Sequence, residues 1–289
     1  LPTTIPETRH YFTPDGLRLT ADVGGDPTAP PVILLHGGGQ TRHSWSGVMQ
    51  QLLAAGYHVI NLDARGHGDS DWSPDGDYEL AALAADLGAV IATLPQPPAL
   101  VGASMGGATS LYAVGNAAPG KPLARALILV DIVPRIDPVG GAKIGNFMRG
   151  HRDGFATLEE AAEAVSAYNP HRPKPKDISG LMKNLRLRED GRLHWHWDPK
   201  FLAPSHRAEP PDFTEQLHAA AEHVQIPTLL VRGLKSDIVS DEGIAEFRSH
   251  LPALQVFDVA GAGHMVAGDR NDAFNQGVIG FLREHLPAA

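Results

Sequence analysis

Apolar runs at residues 32–35, 57–62, 99–101, 126–130, 226–231 and 254–259 alternate with helix-forming stretches, and this alternation limits the folds open to the chain. Nearly continuous apolar runs suit strands buried on both faces. Between the first two runs, Trp45, Val48, Met49, Leu52 and Leu53 recur at helical spacing. Leu80, Leu83, Leu87, Val90, Ile91 and Leu94 repeat the stripe before the third. Strand, loop, helix and strand in that order build a parallel α/β sheet. Residues 7–23 predict an antiparallel hairpin at its edge, turning at Pro14-Asp15-Gly16.

The alternation breaks down between residues 134 and 224, where proline, glycine, charged and aromatic residues intervene. Helical pieces are expected there at about 158–168 and 178–187. We read 134–224 as an inserted cap, with 1–133 and 225–289 forming one core. The basic, proline-rich stretch 169–176 reads as a solvated loop.

A formal charge of −9 and a pI near 5.9, with no Lys/Arg-rich block, argue against a nucleic-acid partner. The absence of cysteine removes disulfides, thiolate metal sites and a cysteine nucleophile. No run reaches bilayer length and the first residues lack a signal-peptide pattern, so no membrane partner and a cytoplasmic location are expected. Homo-oligomerisation is left open.

Gly102-Ala103-Ser104-Met105-Gly106-Gly107 lies between an apolar run and a helix-forming one. Gly-x-Ser-x-Gly in that setting presents a serine hydroxyl on a strained strand-to-helix turn. A nucleophilic serine needs a base, and the base needs an acid to orient it. His264, after the last strand run, is the candidate base. Asp237, after the run before it, is the candidate acid, and Asp131, also following a strand, is the alternative. Ser, Asp, His is the chain order such a triad takes.

Together with His36-Gly37-Gly38-Gly39 and the 63–70 loop carrying Asp63, Arg65, Gly66, His67, Gly68 and Ser70, these motifs resemble the α/β-hydrolase superfamily. The chain is most similar to its capped bacterial esterase, lactonase and cofactor-free perhydrolase group. The resemblance implies a mostly parallel, eight-stranded sheet flanked by helices, with an inserted, mostly helical cap. It implies an oxyanion hole from the amides of Gly38 and Met105, with Gly39 as an alternative to Gly38. It assigns Arg65 and His67 to bracing the oxyanion loop. The expected activity is hydrolysis of a carboxylic ester or lactone through an acyl-enzyme on Ser104, with no metal or organic cofactor.

Phe147, Trp195 and Trp197 are candidates for lining the pocket, with Met148 and Phe155 either lining or core. His194 and His196 would share one face of a strand, but no third metal-ligand motif accompanies them. Carbon–carbon bond hydrolysis and perhydrolysis are rivals using the same triad. A non-catalytic small-molecule receptor and a purely structural protein are rivals of other classes.

Overall fold

Strands β1 (Glu7–Phe12) and β2 (Arg18–Gly24) pair antiparallel across a turn in which Gly16 takes a φ of +88°. From β2 the sheet continues through β4 (His58–Leu62), β3 (Pro31–Leu35), β5 (Ala99–Ala103), β6 (Ala126–Val130), β9 (Thr228–Gly233) and β10 (Gln255–Val259). From β4 to β10 every pairing is parallel, giving the expected eight-stranded, mostly parallel sheet. This computed structural model describes residues 5–168, 177–203, 212–264 and 271–288. The loop expected at 169–176 lies outside the described residues.

Side chains alternate between two cores because successive strand residues point to opposite faces. Ile33, Leu35, Leu100, Leu127 and Leu129 point into one core. There they meet α2 (Leu80–Ile91), α3 (Met105–Gly115), α6 (Phe213–Glu222) and α7 (Asp241–His250), through residues such as Leu87, Leu111, Leu217 and Phe247. Val32, Leu34, Val101, Ile128 and Val130 point into the other. Its helical side is α1 (Ser46–Ala54) and α8 (Asn271–His285), with Leu52, Phe274, Val278 and Leu282 buried.

The chain between β6 and α6 departs from the sequence expectation in two places. Helix α4 (Pro138–Arg149) was not anticipated, although Asp137-Pro138 marks its start. The Asp137 carboxylate accepts from the Val139 and Gly140 amides at 2.9 and 3.0 Å, and proline is suited to the first helical position. Helix α5 (Leu158–Tyr168) forms as expected, but 178–187 is not one helix. It is a 3-10 turn, Ser179–Asn184, followed by strand β7 (Leu185–Leu187), which pairs with β8 (Leu193–Trp195). Helix α6, within the 134–224 span, packs tightly on α3. A Cβ at Gly115 would stand 2.2 Å from the Ala220 carbonyl oxygen.

Candidate active site

Between β5 and α3, Ser104 takes φ +47° and ψ −114°, a conformation that costs a non-glycine residue energy. Its neighbours hold it there. A Cβ on Gly102 would lie 2.4 Å from the Gly106 carbonyl carbon, and one on Gly106 would lie 2.4 Å from the Leu35 carbonyl oxygen. Strand and helix approach this closely only with glycine at both positions.

One strand away, Asp131 follows β6 with φ +50° and no solvent exposure. Its Oδ1 accepts the Gly233 N–H at 3.1 Å. Its Oδ2 accepts the Ser236 hydroxyl at 2.6 Å and the His264 Nδ1–H at 2.8 Å. Ser236 in turn accepts the Ile238 and Val239 amides, both at 3.2 Å, so its single proton is directed to Asp131. His264 reaches this position because Gly233 is bare: a Cβ there would stand 2.4 Å from the Gly263 carbonyl oxygen.

Asp237, preferred from sequence as the acid, does not meet His264 through any described hydrogen bond. It lies at the partly exposed base of α4, where Lys143 Nζ donates to it at 2.9 Å. The carboxylate at the imidazole is that of Asp131, because the left-handed turn after β6 carries it under His264.

The 36–39 loop faces Ser104 from the other side. Two of its amides have partners: Gly37 N–H donates to Gln40 Oε1 at 3.2 Å and Gly39 N–H to His67 Nε2 at 3.0 Å. Gly38 N–H has no hydrogen-bond partner among the described residues. A Cβ on Gly38 would be 3.9 Å from Met105 Cβ, so the Gly38 and Met105 backbones are neighbours. Met105 opens α3, where first-turn amides lack intrahelical acceptors.

The family model for the alpha/beta hydrolase fold matches residues 30–270. The chain belongs to the α/β-hydrolase family. It is 30% identical over 269 residues to mouse sn-1-specific diacylglycerol lipase ABHD11, covering 89% of this chain and 82% of that protein. Esterase Rv0045c of Mycobacterium tuberculosis is 31% identical over 265 residues, 88% of this chain and 83% of its own. The crystal structure of that esterase superposes with a TM-score of 0.74 at 28% identity, covering 96% of this chain and 91% of the other. The 3-hydroxybutyrate-oligomer hydrolase of Cupriavidus necator is 30% identical over 268 residues, 87% of this chain and 89% of that protein.

In this α/β-hydrolase the 36–39 loop rests on two buried histidines. His36 Nδ1–H donates to the Gly37 carbonyl at 2.8 Å and its Nε2 accepts the Ala64 N–H at 3.0 Å. His67 Nδ1–H donates to the Arg65 carbonyl at 3.0 Å, which leaves Nε2 to accept from Gly39. Burial pushes His36 down to about 4 and His67 down to about 3, so both are neutral acceptors near neutral pH. Arg65 holds Asp86 through two hydrogen bonds of 2.6 Å. Arg42 pairs with buried Asp63 and with Asp69.

Ser104, Gly38, Met105 and His264 open onto one cavity of about 950 Å³. Its walls include Phe147, Met148, Trp195, Trp197 and Phe201, with Ile132, Ile144 and Leu181. Phe155 instead packs in the small core between α5 and β7. Glu79 and Asp177 are the charged wall residues, and no lysine or arginine lines the cavity among the described residues. His194 pairs with Asp190 at 2.7 Å, and His196 lies beyond the end of β8. Among the described residues no three His, Asp or Glu side chains are grouped to hold a metal. No described helix is long and apolar enough to cross a membrane.

Ser236 and Phe201 were not legible in the sequence as site residues. Nothing in the run Gly233-Leu234-Lys235-Ser236-Asp237 distinguishes the serine as the residue that meets the buried carboxylate. Asp198-Pro199 marks the start of a short turn but not that Phe201 ends up over Gly38.

Proposed function

We propose that this protein is a carboxylic ester hydrolase acting through an acyl-enzyme on Ser104, with His264 as general base and acid and Asp131 as the carboxylate that orients it. The observation that carries the reading is the cavity shared by Ser104 and His264, with the imidazole's Nδ1 held by a buried carboxylate. With Nδ1 donating to Asp131, Nε2 takes the proton from Ser104 as its oxygen attacks the ester carbonyl. The oxyanion is held by the Gly38 and Met105 amides. His264 returns the proton to the departing alcohol, then activates water to release the acid. Ser236 acts through Asp131 as a positioning residue.

The stretch from α4 to the turn ending at Leu202 is the cap in this reading, and its apolar walls suit an uncharged acyl chain. The esterase and lipase relatives at about 30% identity support ester chemistry. The test is hydrolysis of p-nitrophenyl butyrate by the wild type and by Ser104→Ala and His264→Ala. Turnover by the wild type that falls to background in both variants is expected. Undiminished turnover by Ser104→Ala would overturn the reading.

A further inference from the structure

Phe201 stands against the backbone of the oxyanion loop: a Cβ built on Gly38 would lie 3.2 Å from two carbons of its ring. Resting on the hydrolase reading above, we infer that Phe201 is a specificity-determining residue on the acyl side, selecting acids unbranched at the carbon next to the scissile carbonyl.

The order of strands fixes the side. Ser104 follows β5, the 36–39 loop follows β3 on one flank, and Asp131 follows β6 on the other. His264 is bound to Asp131, so it approaches from the β6 flank. The alcohol must leave toward His264, which protonates it, so the acyl portion lies away from the imidazole, and we place it along the wall beside the oxyanion donors. That is the flank of Phe201, whose ring meets His67 edge-on at 4.9 Å and Tyr78 at 5.8 Å. A Cβ built on Gly38 lies 3.9 Å from Met105 Cβ, so the ring and the other oxyanion donor both border the same point above Gly38. On this placement the α-carbon of a carbonyl held by these amides would face the ring, and methyl groups added there would collide with it.

Phe201 is also anchored to the core, which makes the wall rigid. Gly68 N–H donates to the His196 carbonyl at 2.9 Å and Asp198 N–H to the Gly66 carbonyl at 2.8 Å. The Tyr78 hydroxyl donates to Asp198 Oδ2 at 2.6 Å, and Lys200 Nζ to the Pro74 carbonyl at 2.8 Å. The loop that holds Gly39 through His67 thus also holds the segment bearing Phe201. Wall and oxyanion donors thus keep one relative position.

The experiment compares p-nitrophenyl butyrate, isobutyrate and pivalate with wild type, Phe201→Leu and Phe201→Ala. An alcohol-side control sets phenyl butyrate against an ortho-disubstituted phenyl butyrate. The butyrate-to-pivalate ratio of kcat/KM is expected to fall at least about tenfold in Phe201→Ala and by less in Phe201→Leu, since a methyl-sized change in a pocket is worth about tenfold or more. The alcohol-side ratio should move less than about twofold. Ratios within one preparation are insensitive to partial misfolding. A butyrate-to-pivalate ratio unchanged in both variants would overturn the inference. So would a larger change on the alcohol side than on the acyl side. Labelling of Ser104 by a fluorophosphonate separates the two failures. Labelling with unchanged ratios removes Phe201 and leaves the hydrolase, whereas neither labelling nor ester turnover in wild type removes both.

Discussion

Asp131 adopts a left-handed backbone that costs a non-glycine residue about 1 kcal/mol, and three donors converge on its buried carboxylate. Three donors on one buried carboxylate fix its orientation beneath the imidazole. Asp131→Asn keeps the volume but removes that charge and turns one acceptor into a donor. The kcat on p-nitrophenyl butyrate should drop roughly a thousandfold or more. Asp237→Asn disturbs only a partly exposed pair with Lys143, and kcat/KM should stay within about twofold. The reverse ranking would return the acid to Asp237. Ser236→Ala removes the hydroxyl from Asp131 Oδ2 and strips the Ile238 and Val239 amides of their acceptor. A kcat lowered about tenfold with KM nearly unchanged is expected, because a positioning residue acts on the transition state rather than on substrate binding. Restoration by Ser236→Thr would tie the effect to the hydroxyl, and an unaltered kcat in Ser236→Ala would remove Ser236 from the assembly.

At the scale of the element, the β5–α3 turn works by close approach. Gly106→Ala places a methyl group 2.4 Å from the Leu35 carbonyl oxygen, so either α3 or β3 must shift. Stability should fall by about 1–3 kcal/mol or more, read as a lower midpoint in urea. Gly88 in α2 gives the opposite case: a Cβ there meets nothing within 4 Å, and its backbone is helical. Gly88→Ala should raise stability by about 0.5–1 kcal/mol through helix propensity alone. Equal losses in both variants would mean that the contact at Leu35 is not what requires glycine. Elements of this kind were legible in the sequence because each carries its own signal. The strands are apolar runs, the helices have stripes, and the serine turn is bracketed by glycines. Leu185 to Trp195 carried no comparable signal, since strands of three residues are too short to show a period.

Across the whole molecule, the sequence's limits came where residues distant in the chain decide the outcome. Asp131 and Asp237 look alike in sequence because both follow strands, and only the path of the backbone after β6 separates them. Helix α6 reads as part of an insertion by position, but its Leu217 and Ala221 are buried in the core that α3 also faces. The histidines show a further property of the assembled fold. His36 and His67 are buried as neutral acceptors at about 4 and about 3, and burial also holds His196 down to about 4. In the unfolded chain a histidine titrates near 6.5, so between that value and about 4 the unfolded state binds protons that the native state refuses. Stability from these groups is complete above pH 6.5 and drains away as pH falls toward 4. For His36 alone the difference amounts to roughly 3 kcal/mol. Carboxylate pairs such as Asp69 with Arg42, whose acid is held below its ordinary range, are lost only at lower pH. Urea unfolding at pH 7.5, 6 and 5 should therefore show a steep decline in stability within this window, before the carboxylates contribute. The 36–39 loop should loosen along with the fold, because a protonated His67 cannot accept the Gly39 amide. A stability that stays level from pH 7.5 to 5 would mean that these imidazoles are hydrated or charged in the native protein, and that the loop is held by something other than His36 and His67.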